Sequence, residues 1–287
     1  MLSAKVTFRP NGRFGNNVFQ YIATKVLQKY IPDASYSYNE VIKAGYNVLT
    51  VTEDNWNETL CGLRDTLRGR PLDGSPRGES QSGQGDTKEE LSKYDLYYCD
   101  GYFQFNDFIE QERDYIQSLF STDNNDIICS GMSMGSLAFF VSHYNTPFTD
   151  DDLVVHLRLD DFIMDGKGSA VIHCDSYLTL LRQIRPQFSG KLYIIVDKIK
   201  YPFEQAYLQS FREFKPEILS GHMLEDFARC FWARNIVLSN STFCWIPLIF
   251  GPKRRHWFPK SVGIFTNQRF DRLDDQSILF DTKRLTF

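Results

Sequence analysis

Short apolar runs closed by turn residues alternate along this chain with stretches of helical spacing. Lys5–Phe8 reads as a strand, and it runs into Pro10-Asn11-Gly12-Arg13-Phe14-Gly15-Asn16-Asn17, a cluster of turn formers. Behind it Val18, Tyr21, Ile22, Lys25, Val26 and Lys29 recur at helical spacing, with the apolar members on one face. Strand, glycine loop and helix in that order open an α/β layer. Tyr94–Tyr98 predicts a further strand and Asp107–Phe120 a helix. Around residue 148 the pattern restarts. Leu153–Leu157 predicts a strand, Ser176–Ile184 a helix, Lys191–Val196 a strand, and Phe203–Phe211 and Met223–Ala233 two helices. Asn235–Leu238 predicts a strand and Thr242 through Phe250 a last apolar helix. Such alternation predicts parallel sheets with helices on both faces. The expected architecture is therefore α/β in two lobes, 1–147 and 148–287. Residues 69–90 carry no large apolar side chain except Leu72 and predict a mobile surface insertion within the first lobe.

Composition narrows the function classes. The 287 residues are 24% charged with a net charge of −4, which supplies no basic field for a nucleic-acid backbone, so no nucleic-acid partner is expected. The six cysteines (Cys61, Cys99, Cys129, Cys174, Cys230 and Cys244) are scattered without a CxxC or a Cys/His cluster. They predict mostly buried free thiols in a reducing compartment, and no metal site. No apolar window reaches the ~18 residues of a membrane-spanning helix. The opening MLSAKVTFRPNGRFGNN lacks the apolar core and small-residue cleavage site of a secretory leader, so the expectation is a soluble, cytoplasmic protein. Aromatic residues make up 15% of the chain, an unusual surplus that does not by itself name a function.

Ligands of open parallel sheets bind beyond the carboxyl ends of the strands. That rule selects four places. The first is Gly12-Arg13-Phe14-Gly15-Asn16, where two glycines let backbone approach a ligand and helix amides favour an anion; a plain tight turn is the other reading. The second is His156-Leu157-Arg158-Leu159-Asp160-Asp161. On a strand, His156 and Arg158 share a face while Val155, Leu157 and Leu159 share the other. This suits an anionic phosphate gripped by a bidentate Arg, or else a structural Arg–Asp pair. The third is Ser239-Asn240-Ser241-Thr242-Phe243, which offers hydroxyls and amides at a helix start, as a phosphate site or as a simple N-cap. The fourth is Glu225-Asp226, suited to the positive end of a helix or to sugar hydroxyls and base edges. Asp197 closes the 191–196 strand at the same edge.

Several segments, in order, resemble one family. GRFGNNVFQY (12–21) resembles the GxGNQxFQY opening of the α-1,2-fucosyltransferases, glycosyltransferase family 11. DGYFQFNDFI (100–109) resembles their GYFQ segment, and HLRLDDF (156–162) their HxRRxDY motif. EDFARCFWARNIVLSNSTFCW (225–245) resembles EDLxLMSxCxxxIxANSSFSWW, and HWFPK (256–260) their Pro-Lys-Trp-Phe segment. GRFGN and HLR are also similar to protein O-fucosyltransferases of the same superfamily. The resemblance implies a GT-B fold of two Rossmann-like lobes and inverting transfer of L-fucose from GDP-fucose to a glycan hydroxyl, α-1,2 to galactose. It implies no metal or other cofactor, and a nucleotide sugar and a glycan acceptor as partners.

On that reading Arg158, His156 and Asp161 are the catalytic residues. Arg158 neutralises the leaving phosphate, His156 orients Arg158 or bonds the donor, and Asp161 acts as base or as a brace for Arg158. Ser239, Asn240, Ser241, Thr242 and Phe243 hold the diphosphate. Gly12, Arg13, Gly15 and Asn16 close over the sugar, while Asp197, Glu225 and Asp226 reach the ribose or base. The chain departs from the family pattern at Leu159, where the motif has its second Arg, and at Asn17, Ile246 and Pro247. Leu159 keeps open a transferase of the same fold with another nucleotide sugar; a non-catalytic carbohydrate-binding relative is a separate alternative.

Overall fold

The computed structural model describes residues 4–31, 33–67, 94–103, 109, 111–159, 171–252, 255–260 and 277–283. The expected insertion at 69–90 and Asp161 lie outside the described residues. The chain divides into two compact units, Met1–Gln104 with Glu112–Met134, and Phe105–Gln111 with Gly135–Phe287.

The first unit holds four parallel strands, β1 (Lys5–Phe8), β2 (Ser35–Tyr38), β3 (Val48–Val51) and β4 (Leu96–Cys99), in the order β2-β1-β4-β3. Helices α1 (Phe14–Lys29), α2 (Trp56–Leu67) and α3 (Arg113–Leu119) accompany them, and β5 (Ile127–Cys129) pairs antiparallel with β6 (Met132–Ser133). Val6 and Phe8 of β1 are buried, and so are Val18, Tyr21, Ile22 and Val26, the apolar face expected of α1. Three helices are tied by one carboxylate. Glu112, just ahead of α3, accepts from Lys29 Nζ of α1 (2.7 Å), from Arg64 Nη2 of α2 (2.6 Å) and from the Tyr30 hydroxyl.

The second unit contains α4 (Met134–His143, from its second residue on), β7 (Leu153–His156), α5 (Cys174–Ile184), β8 (Leu192–Ile195), α6 (Pro202–Gln209), β9 (Glu217–Leu219), α7 (Met223–Trp232), β10 (Ile236–Val237), α8 (Thr242–Phe250), β11 (His256–Pro259) and β12 (Ser277–Phe280). The unit begins earlier than the 147/148 break read from the pattern, because α4 packs with α7. Trp232 Nε1 donates to the Val141 carbonyl (2.8 Å) and Arg229 Nε to the Tyr144 hydroxyl (2.9 Å).

Its six strands are all parallel, in the order β9-β8-β7-β10-β11-β12. The chain builds outward from β7 to β9, then returns to the other side of β7 and builds outward again. Helices cover both faces. Successive residues of a strand point oppositely, and on β11 Trp257 meets Phe188, which follows α5, while Phe258 meets Trp245 of α8. Leu153, Val155, Leu157 and Leu159 enter a core with Leu181, Ile194, Val237 and Trp257, the buried alternate face read from the sequence. Among the described residues, no helix is long and apolar enough to cross a membrane.

Candidate functional site

Between β7 and β10 the strand order reverses direction, and the connections leaving their carboxyl ends run to opposite sides of the sheet. A crevice at this point is where open α/β sheets take ligands. Two of the four sequence-selected segments leave the sheet here, one from each strand: the described part of the second, 156–159, and 239–243.

His156 ends β7 and is buried. Its Nδ1 lies 2.8 Å from Ser239 Oγ on the segment after β10, and its ring stacks on Phe243, with centroids 5.7 Å apart and planes 19° apart. Burial, and then the Arg158 charge, push the imidazole pKa down to about 3, so the ring is neutral at neutral pH. Arg158 Nη1 donates to Asp197 Oδ2 at 2.7 Å, with the arginine side chain 9% exposed and the aspartate 36%. Asp197 follows the neighbouring β8 and holds the guanidinium; Asp161, read as base or brace, lies outside the described residues. At the strand ends a nearly buried guanidinium, paired with one carboxylate, therefore stands beside a neutral His.

Residues 239–242 are all buried. Ser241 caps α8, its hydroxyl accepting from the Phe243 amide at 3.3 Å. The N-cap reading is thus realised, and it leaves the positive end of a nine-residue helix at the switch point. Cys244 on the same turn donates its thiol proton to the Ser241 carbonyl (3.0 Å).

Glu225 and Asp226 open α7. Glu225 closes a capping box, accepting from the His222 amide at 3.3 Å. Asp226 is buried, pairs with Arg229 Nη1 at 2.6 Å and accepts weakly from the Gly221 amide at 3.3 Å. Burial raises its carboxyl against the pull of Arg229, and the charge of Asp197 pushes the same way as burial. Capping and bracing account for the hydrogen bonds both residues make here. A Cβ at Gly221 would crowd the carboxylate of Glu225 and the guanidinium of Arg229, so a larger residue there would require these two side chains to shift.

In the first unit, the loop after β1 is built by side chains of α1. Gly12 sits at φ +78°, a conformation that favours glycine. Asn17 Nδ2 donates to the Arg13 carbonyl at 2.8 Å. Gln20, buried, donates to the carbonyls of Arg9 (3.3 Å) and Gly101 (2.9 Å) and accepts from the Asn11 amide (3.1 Å), so it ties the loop after β1 to the loop after β4. Gly15 is buried within the first turn of α1, Arg13 is exposed and Asn16 is half-buried. Sequence reading quoted Gln20 and Asn17 inside a motif but gave them no task; a polar side chain on the buried face of α1 was the available signal. Gly12→Ala is expected to destabilise the protein by about 1–2 kcal/mol, because the residue must hold positive φ and its Cβ would lie 2.1 Å from Asn16 Nδ2. Thermal unfolding reads this, and an unchanged midpoint would show that the loop relaxes freely.

All six cysteines are free thiols; Cys99, Cys230 and Cys244 are buried, whereas Cys61 is exposed. The structure does bring one Cys/His group together, contrary to the reading of the sequence. The donor atoms of His173, Cys174 and Asp175 lie within 4.8 Å of one another. These are three consecutive residues at the start of α5, and His173 Nδ1 already accepts from the Asp175 amide at 3.2 Å as an N-cap. A separate cavity of about 500 Å³ is lined by α5, Arg255, Trp257, Ile278 and Phe280, and contains none of the switch-point residues.

No protein-family model matches the chain, and no curated protein matches it. Among solved structures, POFUT1 in complex with GDP is similar at 11% identity, covering 90% of this chain and 98% of its own, with a TM-score of 0.46. The glycosyl transferase family 9 protein from Veillonella parvula DSM 2008 is similar at 10% identity, covering 98% of this chain and 87% of its own, with a TM-score of 0.44. Both scores lie below 0.5, and the fold assignment stands on the strand order of the chain itself.

Proposed function

We propose that this chain is a glycosyltransferase of the GT-B kind, which binds a nucleotide sugar at the switch point of its second unit and transfers the sugar, with inversion, to an acceptor hydroxyl. One observation carries the reading: a nearly buried Arg158 and the N-terminus of α8 leave the strands on either side of the point where the parallel sheet reverses order. That is a site for a diphosphate. The donor we infer is GDP-fucose, and the product an α-1,2-fucosylated galactoside, on the strength of the ordered motifs GRFGNNVFQY, HLRLDDF and SNSTFCW.

In the transfer, the acceptor oxygen forms a bond to the anomeric carbon as the bond from that carbon to the β-phosphate oxygen breaks. The electron pair departs with the diphosphate, and the hydroxyl proton passes to a base or to the departing phosphate. Negative charge therefore grows on the β-phosphate, where Arg158 is the counter-charge already in place. Asp197 keeps the guanidinium oriented, so little reorganisation is required in the transition state. Ser241, Thr242 and the start of α8 complete the anion site. No residue of this chain has to supply a metal ion in this scheme.

Leu159 favours a second reading, a related transferase with a different nucleotide sugar. It stands where the resembling motif has its second Arg, and it is buried in the core beside Val155 and Leu157. Thermal-shift titration with GDP, UDP and ADP separates the two. GDP is expected to raise the unfolding midpoint, by the equivalent of about 2.7 kcal/mol at a hundred times its Kd, and Arg158→Ala to lose most of the shift. A shift by UDP alone would move the donor assignment, and no shift by any diphosphate would refute the site.

A further inference from the structure

We propose that Ser239 is a positioning residue that fixes the imidazole of His156 in the tautomer with its proton on Nε2, making His156 a hydrogen-bond donor and not a base. The inference rests on the donor-site reading only for what the Nε2 proton would meet; the tautomer follows from the packing of the serine hydroxyl. Because burial and Arg158 keep the ring neutral, it has one N–H and one lone pair to place.

Ser239 Oγ has one proton to give and is 1% exposed, so that proton needs a partner within the protein. One of its lone pairs already takes the Ser241 amide at 3.3 Å. Two acceptors are in reach, His156 Nδ1 at 2.8 Å and Cys244 Sγ at 4.0 Å. The imidazole nitrogen is at ideal hydroxyl hydrogen-bond length, whereas sulfur at 4.0 Å is a weak acceptor at the limit of contact. The thiol does not compete as a donor either, since its proton is committed to the Ser241 carbonyl at 3.0 Å. The reverse arrangement, with Nδ1–H donating to Ser239, would turn the buried hydroxyl proton onto that distant sulfur. A hydroxyl given to Nδ1 satisfies all three groups and leaves the ring proton on Nε2.

An N–H donor beside Arg158 suits an anionic oxygen of the diphosphate, with no charge of its own to be solvated. A base at this position would instead repel it. The role therefore separates His156 from the proton removed from the acceptor.

The test is a long-range ¹H–¹⁵N correlation spectrum of the full chain labelled at histidine, recorded at neutral pH without ligand. There are five histidines, and the spectrum of His156→Gln identifies the signal. The expected wild-type pattern has a protonated Nε2 and an unprotonated, hydrogen-bonded Nδ1. Ser239→Ala is expected to shift the ring toward a mixture of tautomers, and Ser239→Thr to restore the wild-type pattern. A wild-type ring protonated at Nδ1 overturns the proposal even if no variant folds, and so does an unchanged pattern in Ser239→Ala. Addition of GDP, UDP or ADP to the same sample tests the other reading separately. If the Nε2 signal stays still with GDP, UDP and ADP alike while the tautomer is as stated, the donor site fails and the Ser239 role stands.

Discussion

Replacing Arg158 with alanine is expected to lower the rate of sugar transfer by roughly 10²–10³, the usual loss when one preorganised donor to a developing negative charge is removed. The guanidinium is 9% exposed and held by Asp197 at 2.7 Å, so on the proposed reading it would meet the leaving diphosphate already oriented and largely shielded from water. The loss is expected in kcat as well as in donor affinity, since charge on the β-phosphate grows along the reaction. Stability is expected to change little, because Asp197 is 36% exposed and water can take over its hydrogen bonds. Arg158→Lys keeps the charge but not the two-pronged geometry that serves Asp197 and a phosphate together, and is expected to restore only part of the rate. Steady-state kinetics with matched thermal midpoints decides this. A rate within tenfold of wild type for Arg158→Ala would remove Arg158 from the mechanism.

The largest expected effect on stability belongs to Glu112→Ala, which should cost about 2–4 kcal/mol. The carboxylate is 4% exposed and accepts from two cations and a phenol on elements from distant parts of the chain. Removing it leaves Lys29 and Arg64 facing each other in the space it occupied. The two cations are 39% and 27% exposed, so water relieves part of this, and the estimate stays below that for a fully buried triad. Burial works to raise the Glu112 pKa, but hydrogen bonds from Lys29, Tyr30 and Arg64 outweigh it and hold the carboxyl below its ordinary value. A lowered folded-state pKa means that the stabilisation is fully present above the unfolded value of about 4.3 and is lost as pH falls through the folded one. Thermal midpoints of wild type and Glu112→Gln should therefore differ at pH 7 and converge as pH drops below about 4. Equal midpoints at pH 7 would show that the network contributes nothing.

Much of the second unit was legible because its strands are buried runs with sharp ends. LVVHL, KLYIIV and NIVL each announce a strand, and the observed β7, β8 and β10 lie inside them. The helix from Thr242 to Phe250 agrees with its reading because Ser241 caps it and Gly251 follows it. The reading passed over β3 and α2 although VLTV and the spacing of Trp56, Leu60 and Leu63 were readable signals; other missed elements have weak patterns. SYSY of β2 and EIL of β9 are edge strands with half-exposed side chains and carry no apolar alternation. HWFP of β11 was noticed as a motif, not as a strand, since Pro259 closes a run of only four residues. Met134–His143 was overlooked because its apolar residues do not form one stripe, and that omission displaced the boundary between units.

At the candidate site, residue types were readable and partners were not. His156 and Arg158 followed from strand alternation. That Asp197 would take Arg158, and Ser239 the imidazole, depends on contacts 39 and 83 residues apart in sequence. Spacing along the chain holds no trace of such pairs; they follow from β8 and β10 flanking β7.

The central claim is transfer from GDP-fucose, and the measurement that meets it most directly is product analysis after incubation of the full chain with GDP-fucose and a panel of β-galactosides. The account predicts a product heavier than its acceptor by one deoxyhexose residue, linked α-1,2 to galactose, and formed roughly 10²–10³ times more slowly by Arg158→Ala. Unchanged acceptors and intact GDP-fucose, in a sample that transfers from a different nucleotide sugar or from none, would contradict it.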